Sequence, residues 1–331
     1  MSHITPIMAE VRALGIALQV EGDAIRVSGA SRLPVELRAA LRDHKPLLLA
    51  YLPSSRRLLD DAGVTAIYAT NNATAATLLE QVLADAGEGG PVGLDIETFV
   101  PPEMAPAPVL KLTRNGARAV RLKDDKTGLD PHRAEVRLLQ IYGGGSICAV
   151  LDMQAVSWNI LAPIWARQLV NHNSQFELGF FRAQSIYPAH VECTMQAVGL
   201  MLGVRRRGLA SAVEAYLGWQ MPKTLQTSDW GAASLSEDQV AYAALDAVAA
   251  LLLWRKLETD LKSSNRWDAY LLQRDAVPAA VEMGWCGIGI DTGELGSQIE
   301  GWSEKLAQAR SEWVAETGSP PPGTPNEIRA W

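Results

Sequence analysis

The segment Leu94-Asp95-Ile96-Glu97-Thr98 sets two carboxylates two residues apart. On a β-strand, residues i and i+2 project to the same face. Asp95 and Glu97 would then stand side by side, with Ile96 in the core behind them. Carboxylates that close repel unless a cation lies between them, and hard divalent ions such as Mg²⁺ and Mn²⁺ prefer oxygen ligands. A solvated strand end gives the same pattern, so the pair alone decides nothing. In Tyr242-Ala-Ala-Leu-Asp246, a helical spacing of i and i+4 puts the phenol and the carboxylate on one face. Asp246 sits among Ala and Leu, where a bare carboxylate is costly unless paired, protonated or metal-bound; a surface Asp on an amphipathic helix is the alternative. In Val170-Asn171-His172-Asn173-Ser174-Gln175-Phe176-Glu177 a strand ends in polar residues and a helix begins, with Glu177 in its first turns. Helix capping accounts equally well for Asn173 and less well for His172.

Strands and helices must position these groups. Residues 92–96 read as a buried strand. Residues 137–142 and 146–151 read as two strands joined by Gly143-Gly144-Gly145, a hairpin signal. Residues 169–171 read as a short strand, followed by helical patterns at about 175–185, 194–202, 209–217 and 236–261. Strands first and strand–helix alternation afterwards indicate an α/β domain with a mixed sheet. Residues 100–108 contain four prolines, unsuited to a central strand; with 111–131 they read as a long insertion or lid. Upstream, residues 53–90 read as a connector with a helical pattern near 73–86, and residues 1–52 as a small separate α+β unit. That unit has a helix over 7–14, strand-like runs at 16–20 and 24–27 around Glu21-Gly22-Asp23, and a helical stretch over 34–49 that Pro46 kinks or splits.

The bulk numbers constrain the rest. A chain of 331 residues holds about two domains. With 48% hydrophobic and 20% charged residues it is an ordinary globular composition. No window has the roughly 18 consecutive apolar residues of a membrane span, and the N-terminus lacks a secretory pattern, so the expected location is cytoplasmic, without a membrane partner. Cys148, Cys193 and Cys286 are odd in number and far apart, which argues against a disulfide framework or a structural zinc site. A net charge of −7 argues against coating nucleic acid through a broad basic surface. It leaves room for an enzyme that grips a few nucleotides in a cleft and neutralises their phosphates with bound metal. Gly218 through Lys223-Thr224 is not a phosphate-binding loop, because Pro222 stands where a glycine is required.

Together the three acidic segments resemble the exonuclease motifs of the DEDD family, tyrosine subclass, which includes ribonuclease D and the proofreading domains of family A DNA polymerases. Asp-Ile-Glu-Thr, His-Asn-x-x-Phe-Glu and Tyr-x-x-x-Asp occur in the family's order within residues 91–261. Arg137-Leu-Leu-Gln-Ile141 looks like its second strand, and the segment from Cys193-Thr194 to Trp230, then Leu235-Ser-x-x-Gln239, like the approach to its third motif. The resemblance implies an RNase H-like α/β domain and a 3′→5′ exonuclease using two divalent cations, Mg²⁺ or Mn²⁺. It implies that Asp95, Glu97 and Asp246 hold the first metal, with Asp95 bridging to a second that Glu177 reaches. In such two-metal schemes one ion acidifies the attacking water and the other stabilises the leaving oxygen. Tyr242 would orient the water, since a phenol with an ordinary pKa near 10 is no strong base at pH 7. Asn173 would touch the terminal nucleotide and the Thr98 backbone the 3′ end. Arg205, Arg206 and Lys223 would meet phosphates or simply lie in a solvated loop. The family carries Asp where this chain has Glu177, which moves the carboxylate by roughly one bond length, a scale that matters in catalysis.

Residues 1–52 resemble the TubC-type docking domain, most clearly over 37–52, which implies a protein partner. Residues 270–331 resemble the junction after the exonuclease domain of family A polymerases, where a helix leads into the thumb; none of the palm or fingers motifs follows. The chain resembles the front part of a plasmid- or phage-type polymerase, which implies a prokaryotic, plasmid or phage setting. The expected substrate is nucleic acid with a free 3′ end, DNA favoured, and the product nucleoside 5′-monophosphates. Ribonuclease D-like trimming of RNA, and a binding or docking module disabled by Glu177, are the alternatives.

Overall fold

Alternating apolar residues on two faces of one strand require cover on both sides, and the central sheet is built that way. The computed structural model describes residues 4–21, 24–52, 54–105, 109–113, 116–120, 127–204, 207–222, 225–226 and 228–321. The strands are β1 (Ala17–Glu21), β2 (Ala24–Ser28), β3 (Thr65–Ala69), β4 (Val92–Phe99), β5 (Val109–Thr113), β6 (Gly116–Val120), β7 (Glu135–Tyr142), β8 (Ile147–Asp152), β9 (Gln168–Asn171) and β10 (His190–Cys193). The helices are α1 (Ile4–Ala13), α2 (Val35–Asp43), α3 (Lys45–Tyr51), α4 (Ser55–Asp61), α5 (Asn72–Ala86), α6 (Ser174–Ala183), α7 (Thr194–Leu202), α8 (Leu209–Leu217), α9 (Glu237–Ser263), α10 (Trp267–Cys286) and α11 (Thr292–Thr317).

Six strands form one mixed sheet in the order β10-β9-β4-β7-β8-β3. The meander β4–β7–β8 is antiparallel, while β10 with β9, β9 with β4, and β8 with β3 run parallel. Along β7, Leu138 and Tyr142 enter a core shared with α4, α7, α8 and α9, whereas Leu139 and Ile141 enter a second core with α5 and α6. Burial on both faces explains the nearly continuous apolar run of these strands. A buried helix through the first core is expected to be apolar all round, and α9 has sixteen buried residues among its 27. It starts at a reciprocal cap in which the Ser236 hydroxyl accepts from Gln239 N and the Gln239 side chain accepts from Ser236 N. The mixed sheet flanked by helices is the expected RNase H-like α/β arrangement.

Several sequence expectations change. Residues 53–90 do not merely connect: β3 pairs in parallel with β8 as an edge strand of the main sheet, and α5 covers the second core. The insertion at 100–131 carries a two-stranded sheet, β5 with β6; parts of the expected lid, residues 106–108, 114–115 and 121–126, lie outside the described residues. The expected helical extension at 262–331 divides. Residues to Glu282 belong to the first compact unit and residues from Met283 to a second. In the first unit Tyr270 donates its hydroxyl to the buried Glu192, and Arg274 pairs with Glu192 at 3.1 Å. In the second, α11 is capped by Asp291, whose carboxylate accepts from Gly293 N and Glu294 N.

The N-terminal unit is α+β. Its hairpin β1–β2 runs in register from Ala17↔Ser28 to Glu21↔Ala24, and residues 22–23 of the expected turn lie outside the described residues. Ile4, Met8, Leu48 and Leu52 form one small core and Ile7, Val11, Ile16 and Leu37 another. Pro46 splits the helical stretch: α2 ends at Asp43 and α3 restarts with the proline in its first turn, where its missing N–H costs no hydrogen bond.

Candidate active site

Asp95 and Glu97 lie on the α9 side of β4, because Leu94 and Ile96 fill the opposite core. Close approach of α9 brings Asp246 to them. Gly93 permits that approach: a Cβ there would fall 2.3 Å from the Ala247 carbonyl oxygen and 2.9 Å from Leu251 Cβ. Asp95, Glu97 and Asp246 each offer a carboxylate oxygen within 4.8 Å of the others. An all-carboxylate set is the donor chemistry of a hard divalent cation, so these residues fit the expected metal.

The electrostatics agree. Asp95 is pushed up to about 7, first by burial. Glu97 is raised well above the carboxylate range by burial, then by Asp95 and Asp246, and Asp246 by burial and then Asp95. Like charges withdrawn from water disfavour ionisation together, and a bound cation would reverse that. Glu177 is 1% exposed and hydrogen-bonded to Asp95, with its Oε2 unpartnered among the described residues. Its pKa is also raised, first by burial and then by Asp95. The longer side chain therefore still reaches the acidic centre. Tyr242 is raised by burial, then by Asp246, Glu97 and Asp95. It stays a neutral phenol near pH 7 and offers a hydrogen bond.

Asn173 occupies the N-cap of α6 with φ 82 and ψ 50, a left-handed conformation, and its side chain makes no capping hydrogen bond. Its amide is not spent on the helix, so capping does not explain the residue. His172 Nδ1 lies 2.8 Å from Thr194 Oγ1, and that hydroxyl donates to Asn171 O. The imidazole therefore donates to the threonine; burial lowers its pKa to about 4 and keeps it neutral. Thr98 donates its hydroxyl to Gly128 O at 2.6 Å, just past a register shift between Glu97 and Thr98. Of the expected phosphate contacts, Arg205, Arg206 and Lys223 lie outside the described residues.

The extra residue of that bulge is Arg137, since Glu97 pairs with Leu138 and Thr98 with Val136. Arg137 is 2% exposed. Its Nε and Nη2 donate to Asp152 at 3.0 and 3.2 Å, and Nη1 donates to the Trp230 and Ala232 carbonyls at 3.0 and 2.7 Å. Tyr68, from the edge strand β3, donates to the same Asp152. The Trp230 ring packs on Tyr242 with centroids 6.3 Å apart. Sequence reasoning placed Arg137 on a strand without a role; an arginine inside an apolar run was the available signal.

Residues 122–262 match the family model described as 3′-5′ exonuclease, and residues 4–53 that of the TubC N-terminal docking domain. The first match includes Glu177, Tyr242 and Asp246 and begins after Asp95 and Glu97. The chain is 40% identical over 136 residues to DNA polymerase I of Aquifex aeolicus (strain VF5), covering 40% of this chain and 23% of that one. It is 29% identical over 186 residues to DNA polymerase DpoZ of Acinetobacter phage SH-Ab 15497, covering 50% and 29%. The chain thus spans between a fifth and a third of the length of these curated relatives. Escherichia coli RNase D, an exoribonuclease involved in structured RNA processing, superposes with a TM-score of 0.51 at 20% identity over 66% of this chain and 51% of that one. That likeness is one of fold.

Proposed function

We propose that the domain of the 3′-5′ exonuclease family in this chain is an active, metal-dependent exonuclease that releases nucleoside 5′-monophosphates from the 3′ end of single-stranded DNA. The observation that carries this reading is the convergence of Asp95, Glu97 and Asp246 within 4.8 Å from a strand and a helix. Tyr242 stands in the same helix face, one turn before Asp246. Asp95, Glu97 and Asp246 would hold one Mg²⁺ or Mn²⁺, and Glu177, bonded to Asp95, would face a second. The cations supply Lewis acidity at the phosphorus and a nucleophilic water at neutral pH. Tyr242 donates a hydrogen bond that orients this water. Asn173, with its amide free of capping, contacts the terminal nucleotide, and the Thr98 backbone, next to the bulge, receives the 3′ end.

DNA is favoured because both curated relatives reported above are DNA polymerases. The docking-domain match supports a protein partner for residues 1–52. The phage relative supports phage descent, and the location proposed is the cytoplasm. Among the described residues no helix is long and apolar enough to cross a membrane.

The test is digestion of matched DNA and RNA oligonucleotides with Mg²⁺ or Mn²⁺, the products being separated by chromatography. Nucleoside 5′-monophosphates released faster from DNA support the reading. Faster release from RNA would shift it to RNA trimming, and internal cleavage would refute it.

A further inference from the structure

Gln140 lies in the middle of β7 and is 0% exposed, yet neither its Nε2 nor its Oε1 has a hydrogen-bond partner among the described residues. Its surroundings are apolar. Leu138 and Tyr142 flank it on the same face of β7, Val150 opposes it on β8, and all three belong to the core under α9. An unmade buried hydrogen bond is destabilising, and a methionine of the same length would fill the space without that cost. On its other side, Gln140 pairs in register with Asp95. Directly opposed residues of an antiparallel pair share a face, with Cβ atoms about 4.5–5.5 Å apart. A glutamine amide spans that gap to an aspartate carboxylate.

We propose that Gln140 is a positioning residue for the acidic centre: when a divalent cation is bound, its Nε2, unpartnered in the metal-free site, donates to the Asp95 carboxylate and fixes that side chain in the rotamer that holds the cation. The inference rests on the metal-dependent reading given above. It explains why a fully buried amide stands in an otherwise apolar face beside the site. Partners that orient metal ligands in this way change metal affinity or activity by about 10–100-fold when removed.

The experiment uses the full chain as wild type, Gln140→Met and Gln140→Leu. Mn²⁺ binding is read by calorimetry, thermal unfolding is followed in EDTA, and kcat and KM are measured on one DNA oligonucleotide. The expected result is a metal-free Tm equal to or above that of wild type, because an unpartnered buried amide is gone. Mn²⁺ affinity and kcat should fall by about 10–100-fold, with KM for the oligonucleotide little changed. Wild-type Mn²⁺ affinity in both variants would overturn the proposal, whatever their Tm. A wild-type protein that binds no Mn²⁺ would overturn the metal-dependent reading itself and this inference with it.

Discussion

Gly93 lies directly beneath Ala247: a Cβ on the glycine would fall 2.3 Å from the alanine's carbonyl oxygen. This single close approach of strand to helix sets the distance between the carboxylates of β4 and that of α9. Gly93→Ala forces the helix outward, as backbone rather than a flexible side chain stands in the way. Overpacking of this kind costs about 1–3 kcal/mol, readable by urea unfolding. The shift also displaces Asp246 on the scale that can cost about 100-fold in rate, so kcat should fall while the fold is retained.

Relief of repulsion gives the opposite stability sign. Asp246→Asn removes a charge from a site where burial and Asp95 already oppose ionisation. In EDTA at pH 8 this variant should melt above wild type, while Mn²⁺-dependent hydrolysis is lost. A lower Tm in EDTA would contradict the assignment of Asp246 to a metal rather than to a structural pair.

The pH dependence follows from the same groups. Asp95 is raised from 3.8 to about 7. Its stabilising contribution is present below the unfolded value and disappears as pH rises through the folded one. His172, lowered from 6.5 to about 4, acts oppositely and only below 6.5. Between about pH 6.5 and 8, metal-free protein should therefore lose stability as pH rises. Divalent ions bind deprotonated ligands, so Mn²⁺ should raise Tm more at pH 8 than at pH 6.5. Thermal unfolding at both pH values, with EDTA or Mn²⁺, checks both signs.

Arg137 ties three parts of the sequence together through Asp152, Trp230 and Ala232. Arg137→Met leaves Asp152 buried without its cation, and breaking a buried pair in this way costs about 3–5 kcal/mol. Tyr68→Phe removes one hydrogen bond to Asp152 and should cost only about 1 kcal/mol. Equal losses in chemical denaturation would contradict this ordering.

The site was legible in the sequence where side-chain spacing alone determines direction. Asp95 and Glu97 share a strand face, Tyr242 and Asp246 share a helix face, and the helical pattern at 236–261 located α9. The turn glycines at 143–145 likewise located β7 and β8. What was not legible depends on partners distant in sequence. The strand Thr65–Ala69 is short and partly exposed, and only its pairing with β8 makes it part of the sheet. β10, four residues long, was missed for the same reason. The bulge at Arg137 and the orphaned amide of Gln140 appear only once register is known.

Glu177 tests how strictly the site is built. It reaches Asp95 despite its extra methylene, so Glu177→Asp should retain metal-dependent hydrolysis within about tenfold of wild type, whereas Glu177→Ala should lose about 100-fold or more. Steady-state rates on one oligonucleotide decide the matter.

The most direct test follows a 5′-labelled single-stranded DNA oligonucleotide on a denaturing gel with Mg²⁺ or Mn²⁺, comparing wild type with Asp95→Ala. A ladder of products shortened from the 3′ end, absent with EDTA and absent in Asp95→Ala, is the predicted result. A ladder that persists in Asp95→Ala, or no shortening of DNA by wild type with either metal, would contradict the account.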